Sequence, residues 1–385
     1  MTHERWLVTG ASGQLGGHVV RQLADELARG DLARERSARE TSAAGVPAAT
    51  GPAILALAWR QPVATPGVPV ARIDLADLAA LRACVAEFRP THVIHLAALT
   101  AVADCHARPA DAERLNVEAT GALADAAASV GARFVFSSTD MVFAGDAAPY
   151  RETDPPAPLS HYGRTKVAAE RLLAGRPGML TVRIPLMYGL PVGAPGLPLG
   201  TAAGQPPGMT TGQPSWTAGQ PPATTTGQPL RTSPEQPLRT TTFMQQLAAL
   251  RAGTPLRLFA DEYRTPVALA DAARALITLA RSGLGGTAEP GGRASGLGGT
   301  AEPASSTGGL IHIAGPQRLS RYELIARCAA VLGIERPNLI PISRADIPAA
   351  EPRPADLSLV AERFNAAFPH VRPGPVRAAA CRQST

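Results

Sequence analysis

The feature that most constrains this fold is a strand, a glycine-rich turn and a helix in immediate succession near the start of the chain. "RWLVTG" (5–10) is typical of a buried strand, and "QLGGHVVRQLADELA" (14–28) of an amphipathic helix. Gly10, Gly13 and Gly16 join the two with the spacing GxxGxxG. Backbone N–H groups and the dipole at such a helix start can hold a pyrophosphate, so the stretch predicts nucleotide binding.

Strands and helices continue to alternate along the first half of the chain. Strands are predicted at 53–59, 68–75, 92–98, 133–138 and 180–189, and helices at 78–88, 112–131 and 162–175. This alternation predicts an α/β fold with a Rossmann-type, doubly wound parallel sheet. The segments 242–253, 267–282 and 310–333 have further helix and strand patterns. They indicate a smaller α/β substrate domain at the carboxyl edge of the sheet.

Two low-complexity stretches interrupt this pattern. Residues 191–241 repeat "GQP", and "GLGGTAEP" occurs at both 283–290 and 296–303. Such Pro- and Gly-rich sequence buries too little apolar surface to offset its ordering entropy, which predicts disordered surface insertions, with a linker or partner-binding role as the alternative. The predicted Rossmann domain is 1–189, with a loop insertion at 36–51. Two low-complexity insertions are predicted at 190–241 and 283–309. Between them, 242–282 contains a substrate-domain helix and a segment that returns to the Rossmann domain, and 310–385 is the C-terminal part of the substrate domain.

Composition argues against several classes of partner. The net charge is +6, but the arginines are scattered among acids, as in "DLARERSARE" (31–40), which is typical of a solvated helical face and not of nucleic-acid binding. No apolar run approaches the ~20 residues of a membrane span. The four cysteines are far apart without metal-ligand spacing, so we expect a reducing, cytoplasmic location and no metal site.

The end of the second strand bears on which dinucleotide would bind. NAD sites usually place an acid there for the ribose 2′-hydroxyl, whereas NADP sites favour an arginine. Here the strand ends Trp59-Arg60 without an acid, so Arg60 favours NADP, and NAD stays open as the alternative. The other residues predicted to line the cofactor are Ser12, Gln14, Leu15, Asp74, Leu75, Ala97 and Ala98.

Lys166 is the only lysine in a chain that has 37 lysine and arginine residues. Tyr162 precedes it by four positions, so on a helix the two side chains share a face. A phenol with a pKa of about 10 exchanges protons poorly at neutral pH unless a neighbouring cation stabilises its phenolate. A compact ammonium can do so, and a broad guanidinium is not equivalent. We therefore predict a functional pair; an ordinary exposed helical lysine is the alternative.

Several motifs in order resemble the extended short-chain dehydrogenase/reductases, and among them the dTDP-4-dehydrorhamnose reductase group. They are "TGASGQLG", "LNVEATG", "FSSTDMVFAG", "PYRETDPPAPLSHYGRTKVAAE" and "EPRPADLSL". The resemblance implies a catalytic set of Thr139, Tyr162 and Lys166. Thr139 would bind the substrate carbonyl, Tyr162 would protonate the developing alkoxide as hydride arrives, and Lys166 would lower the pKa of Tyr162 and hold the nicotinamide ribose.

The resemblance also implies a keto-sugar substrate, most naturally linked to a nucleotide, with Asp140, Met141 and Arg264 near it. The motifs depart from that group at Met141 and Leu186, where aromatic rings are usual, and this puts the particular sugar in doubt. Alternatives are an epimerase or dehydratase of the same superfamily and a non-catalytic regulator that resembles the methionine adenosyltransferase β-subunit. A homodimer, with or without magnesium at its interface, is left open.

Overall fold

The computed structural model describes residues 4–41, 53–193, 241–284 and 309–381. Its strands are β1 (Trp6–Thr9), β2 (Ile54–Ala58), β3 (Val70–Arg72), β4 (His92–His95), β5 (Arg133–Thr139), β6 (Met179–Ile184), β7 (Met187–Tyr188), β8 (Leu256–Phe259), β9 (Tyr263–Arg264), β10 (Val267–Ala268), β11 (Leu310–His312), β12 (Leu319–Ser320) and β13 (Leu339–Ile342). Its helices are α1 (Gln14–Thr41), α2 (Leu78–Phe88), α3 (Val102–Ala107), α4 (Pro109–Glu113), α5 (Ala119–Ser129), α6 (His161–Leu173), α7 (Thr242–Arg251), α8 (Leu269–Ser282), α9 (Arg321–Leu332), α10 (Glu362–Ala367) and α11 (Ala378–Cys381).

The central sheet has seven parallel strands in the order β11-β6-β5-β4-β1-β2-β3. Since β1 lies inside the sheet and the chain winds outward from it in both directions, the sheet is doubly wound and the predicted Rossmann-type fold is confirmed. The carboxyl ends of β1 and β4 meet where the winding direction changes. Ligands of such sheets bind at this position.

Helices cover both faces of the sheet, and the two-residue period of the strands explains the two cores. Trp6 and Val8 of β1 face a cluster with α1 and α8, whereas Leu7 faces a cluster with α2, α5 and α6. In β5, Val135 belongs to the α1–α8 side and Phe136 to the other side. Every second side chain near the end of β5 therefore points toward α6.

A smaller unit packs around a third core. Helices α7, α9 and α11 enclose Leu247, Ile325 and Cys381, and β8 pairs in parallel with β13. Short pairs connect this unit to the sheet: β10 lies beside β7, which follows β6 directly, and β12 lies beside β9. The predicted start of α9 near Ser320 is correct, because Ser320 and Glu323 form a capping box there.

Three local predictions differ from the structure. Helix α1 continues to Thr41, so residues 36–41 of the predicted loop insertion 36–51 are helical; the Arg- and Glu-rich sequence there favours helix. The strand predicted at 180–189 divides into β6 and β7 around Pro185, which has no N–H to donate. A π-helical turn, Arg114–Glu118, interrupts the helix predicted at 112–131.

The remaining residues of the three predicted insertions lie almost wholly outside the described ranges. None of the helices within those ranges has both the length and the apolar character needed to cross a bilayer.

Candidate active site

The glycine turn after β1 is shaped by close backbone contacts. Gly10 has a φ of +66°, and a Cβ there would lie 2.8 Å from the backbone nitrogen of Ala97, just beyond β4. A Cβ at Gly16 would collide with the Gly10 carbonyl oxygen, and Gly13 N–H donates to that same oxygen at 2.9 Å. Only glycine allows the end of β1, the start of α1 and the end of β4 to approach this closely. The turn therefore leaves the backbone at the start of α1 free of side chains, as a dinucleotide-binding turn requires.

The residues predicted to meet the adenosine end follow β2 and β3 at the same edge of the sheet. Trp59 is 46% exposed, and the Arg60 guanidinium carbon lies 5.8 Å from the centre of its ring. Arg72 donates to the Trp59 carbonyl at 3.1 Å, and Asp74 accepts from Ala76 N–H at 3.0 Å, which shapes the turn after β3. Among the turn residues, Leu15 is buried in the core, so only its backbone can face a ligand.

Thr139 and Tyr162 meet where β5 ends and α6 begins. Ser160 caps α6 by accepting from Gly163 N–H at 3.1 Å. A side chain at Gly163 would collide with the Met141 carbonyl oxygen, so this glycine lets α6 pack directly on the turn that follows Thr139. Tyr162 is buried beside Cys105 and Met141. The cap at Ser160 and the absence of a side chain at Gly163 thus bring Thr139 and Tyr162 together.

The surroundings of Tyr162 favour its protonated form. Burial raises the pKa of Tyr162 well above its usual value, the charges of Asp140 and Cys105 act in the same direction, and a hydrogen bond with Thr139 acts against them. The Thr139 hydroxyl donates to Asp140 Oδ1 at 3.1 Å and accepts from Met141 N–H at 3.2 Å. A phenol that retains its proton has the form required of a proton donor.

Lys166 is buried, at 3% exposure, which excludes the interpretation as an ordinary surface lysine. Its ammonium nitrogen lies 4.0 Å from the centre of the Phe136 ring. Burial lowers the pKa of Lys166 to about 7, and the Glu170 charge opposes this. The ammonium therefore titrates close to neutral pH, where a small change in its surroundings alters its charge.

Charged side chains from the smaller unit lie beside Asp140, the residue after Thr139. Arg264 Nε lies 3.3 Å from Asp140 Oδ2, and both side chains are buried. Burial raises the pKa of Asp140 and the Arg264 charge opposes this. Glu262 lies between Arg321 and Arg353, with a nitrogen–oxygen distance of 3.6 Å to each.

Sequence reasoning missed Glu262, Arg321 and Arg353. Arg353 stands in the quoted stretch "EPRPADLSL". The pairing of these residues depends on tertiary contacts that spacing in the sequence does not reveal. Arg264 and Asp140 were both predicted, although their ion pair was not.

Two other polar residues have structural partners. Asn116, in the π-helical turn, accepts from Leu99 N–H at 2.7 Å and donates to Thr165 Oγ1 at 3.0 Å, which ties the turn to α6. His95 lies between Thr9 and Thr120, and burial lowers its pKa to about 3. Within the described parts of the chain, no group of three or more His, Cys, Asp or Glu side chains is placed to hold a metal ion.

Comparison with known proteins agrees with this arrangement. The family model described as the RmlD substrate binding domain matches residues 4–193. Methionine adenosyltransferase 2 subunit beta of Pongo abelii is 40% identical over 119 residues, 31% of this chain and 36% of that protein. The dTDP-4-dehydrorhamnose reductase of Streptomyces griseus is 39% identical over 168 residues, 43% of this chain and 44% of its own length.

The likeness to solved structures extends over nearly the whole chain. A dTDP-4-dehydrorhamnose reductase from Bacillus anthracis, solved in complex with NADP, superposes with a TM-score of 0.61. It is 19% identical, with 95% of this chain and 93% of that chain covered, and at this identity the likeness concerns the fold. By sequence, the chain spans between about a third and a half of the curated relatives named above.

Proposed function

Since the chain belongs to the extended short-chain dehydrogenase/reductase family, in the likeness of its dTDP-4-dehydrorhamnose reductase group, we propose that it is an NAD(P)H-dependent reductase of a keto-sugar. The observation that carries this proposal is the buried set of Thr139, Tyr162 and Lys166 at the carboxyl edge of the sheet, on strand β5 and helix α6. The glycine cradle lies at the same edge.

Thr139, Tyr162 and Lys166 would each have a separate role in the reduction of a carbonyl group. Bound NADPH supplies the hydride that adds to the carbonyl carbon. Thr139 would orient the carbonyl through its hydroxyl, exchanging its bond to Asp140 for one to the substrate. Tyr162 would give its proton to the carbonyl oxygen as that oxygen gains charge, and the Lys166 ammonium would stabilise the phenolate left behind.

The cradle and the adenosine edge support NADP as the preferred cofactor. Gly10, Gly13 and Gly16 leave room for a pyrophosphate at the start of α1, where N–H groups converge. Arg60 stands at the end of β2, with Arg72 close by on β3, so positive charge is available for a 2′-phosphate. The absence of an acid at residues 59–60 also disfavours the usual contact with the NAD ribose.

The opposite side of the cleft supports an anionic, nucleotide-linked substrate. Arg264, Arg321 and Arg353 face two carboxylates, Asp140 and Glu262, so the group as a whole is positive. Phosphate groups of a sugar nucleotide fit such a surface. Met141, which packs beside Tyr162, and Leu186, in the smaller unit, have no aromatic ring. This favours a sugar ring different from that of the rhamnose precursor.

A non-catalytic role as a nucleotide-binding regulatory subunit is the second candidate. The observation that favours it is the 40% identity to methionine adenosyltransferase 2 subunit beta. The buried Tyr162–Lys166 pair favours the reductase, because burying a lysine has a large desolvation cost that a purely structural site could avoid.

The test is NADPH oxidation in the presence of dTDP-linked 4-keto-6-deoxy sugars, followed at 340 nm, with wild type and Tyr162→Phe. We expect turnover in wild type and a loss of about 10²-fold or more in the variant, since general acid catalysis typically contributes that much. NADPH binding measured separately should change little. Tight NADPH binding by wild type without turnover of any keto-sugar would contradict the reductase and favour the regulator.

A further inference from the structure

We propose that Glu170 is a positioning residue, which keeps the Lys166 side chain in its charged form. The inference rests on the proposed function, in which Lys166 must be a cation beside Tyr162. Glu170 follows Lys166 by one helical turn on α6. Among the described residues, Glu170 has no hydrogen bond or ion pair with the glycine turn or with the charged group around Arg264. Its role would therefore be exerted through the lysine.

Three hydrogen bonds fix the Glu170 carboxylate. Arg183 of β6 donates from Nε to Oε1 at 3.0 Å and from Nη2 to Oε2 at 2.7 Å. Ser138 of β5 donates its hydroxyl to Oε1 at 2.5 Å. Both members of the ion pair are buried, at 3% and 10% side-chain exposure. A bidentate, desolvated pair of this kind has one geometry, so the carboxylate is a fixed negative charge.

The side chains of Lys166 and Glu170 lie over the same strand, β5. Residues four apart on a helix share a face, so Lys166 and Glu170 both point from α6 toward the sheet. Lys166 lies over the Phe136 ring, and Glu170 bonds to Ser138. Phe136 and Ser138 are two residues apart on β5 and project to the same side. The two charges therefore occupy neighbouring positions on one surface.

The other titratable groups that face Lys166 are neutral at pH 7. His95 of β4 is uncharged, since burial lowers its pKa to about 3. Cys105 of α3 retains its proton, since burial raises its pKa to about 11. Tyr162 also stays protonated. Among these groups, in the part of the chain that the structure describes, Glu170 alone brings a negative charge to the lysine.

This arrangement matters because the charge of Lys166 is finely balanced. Burial brings the pKa of Lys166 down to about 7 even with the carboxylate present. Without it, the lysine would be mostly neutral at pH 7 and could no longer stabilise a phenolate. The Arg183–Glu170 pair would thus serve catalysis as well as packing.

The chain allows a direct test, because its single lysine gives a single signal. Protein labelled with [ε-¹³C]lysine, made without tag lysines, would be titrated by NMR as wild type, Glu170→Gln, Glu170→Asp and the double variant Glu170→Gln/Arg183→Met. The double variant removes the unpaired arginine that the single variant leaves buried. Ser138→Ala is the matched control, since it removes one hydrogen bond and keeps the charge.

We expect the pKa of Lys166 to fall by about one pH unit or more in both Gln variants, as expected for a lost charge at close range. It should stay near the wild-type value in Glu170→Asp and Ser138→Ala. The alkaline limb of kcat against pH should move down with it. An unchanged Lys166 titration in the double variant would overturn the proposal. The titration needs no substrate, so it tests the role of Glu170 separately from reductase activity. A lowered pKa of Lys166 in the Gln variants, together with no turnover by wild type, would count against the proposed function alone.

Discussion

Two walls of the proposed active site are built in different ways. The Rossmann wall comes from β5, β6 and α6, and consists of Ser138, Lys166, Glu170 and Arg183. The substrate wall comes from the smaller unit, and consists of Glu262, Arg264, Arg321 and Arg353. Hydrogen bonds to Glu170 in the Rossmann wall measure 2.5–3.0 Å, whereas the ion pairs of the substrate wall measure 3.3–3.6 Å.

The difference indicates which wall is fixed before a ligand arrives. Every oxygen of Glu170 has a partner at hydrogen-bond distance, so the surroundings of Lys166 are preorganised. At the substrate wall, Asp140 Oδ2 accepts no hydrogen bond and Arg353 Nε donates none among the described residues, although Asp140 has its ion pair with Arg264. We infer that the Rossmann wall sets the chemistry, and that the substrate wall can exchange its longer ion pairs for contacts to a charged substrate.

The largest expected difference between the walls is in stability. Arg183→Met leaves Glu170 buried without its partner, which should cost about 3–5 kcal/mol of unfolding free energy. Arg353→Met removes a pair at 3.6 Å from a side chain that is 35% exposed, and should cost less than about 1 kcal/mol. Urea unfolding of both variants measures the two costs. Equal losses would show that the walls do not differ in the proposed way.

A pH-dependent effect is expected from acid, through two buried histidines on the Rossmann side. Burial lowers the pKa of both His95 and His312 to about 3, and His312 Nε2 lies 3.4 Å from Arg183 Nη1. The unfolded chain takes up protons below about pH 6.5, whereas the folded chain does so only near pH 3. Stability should therefore fall as the pH drops through this window, by about 1.4 kcal/mol per pH unit for each histidine.

Unfolding between pH 7 and 5 checks this slope. His312→Gln should lower the slope by about 1.4 kcal/mol per pH unit, the contribution of one histidine. If the slope of His312→Gln equals that of wild type, His312 does not contribute.

The smallest expected change in unfolding free energy comes from a substitution in the substrate wall. Its main effect should be on substrate binding. Arg321 is 36% exposed and lies 3.6 Å from Glu262, so Arg321→Gln should scarcely change unfolding. If Arg321 binds a phosphate of the substrate, KM should rise by about tenfold with little change in kcat, as expected for the loss of a charged hydrogen bond. The control is Arg151→Gln, in an exposed pair with Glu362. A loss in kcat alone would place Arg321 in the chemistry instead.

Local sequence signals predicted the parts of the molecule that depend on local geometry. The glycine turn, the alternation of strands and helices and the helical spacing of Tyr162 and Lys166 each follow from a few neighbouring residues, and the fold they predicted is confirmed. The extension of α1 to Thr41 was missed because charged helix-forming residues were interpreted as a loop. The division of β6 from β7 depended on the single Pro185.

The pairing of buried polar residues could not be predicted from sequence patterns. Glu170 and Arg183 read in sequence as an exposed helical acid and a charged residue in an otherwise apolar strand, and their pairing requires β6 to lie beside β5. Glu262 follows β8 and Arg353 follows β13, so the two residues are far apart in the sequence and pair only in the folded chain. Arg60 and Asp74 could be placed at the adenosine edge, but their role in cofactor choice stays a prediction.

The central claim is that the only lysine of the chain is kept because arginine cannot do its work. The most direct measurement is NADPH oxidation with a dTDP-linked 4-keto-6-deoxy sugar by wild type and Lys166→Arg at saturating cofactor, with NADPH affinity and folding measured in parallel. We expect turnover in wild type and a loss of about 10²-fold or more in a folded Lys166→Arg protein. Equal turnover in the two proteins would contradict it.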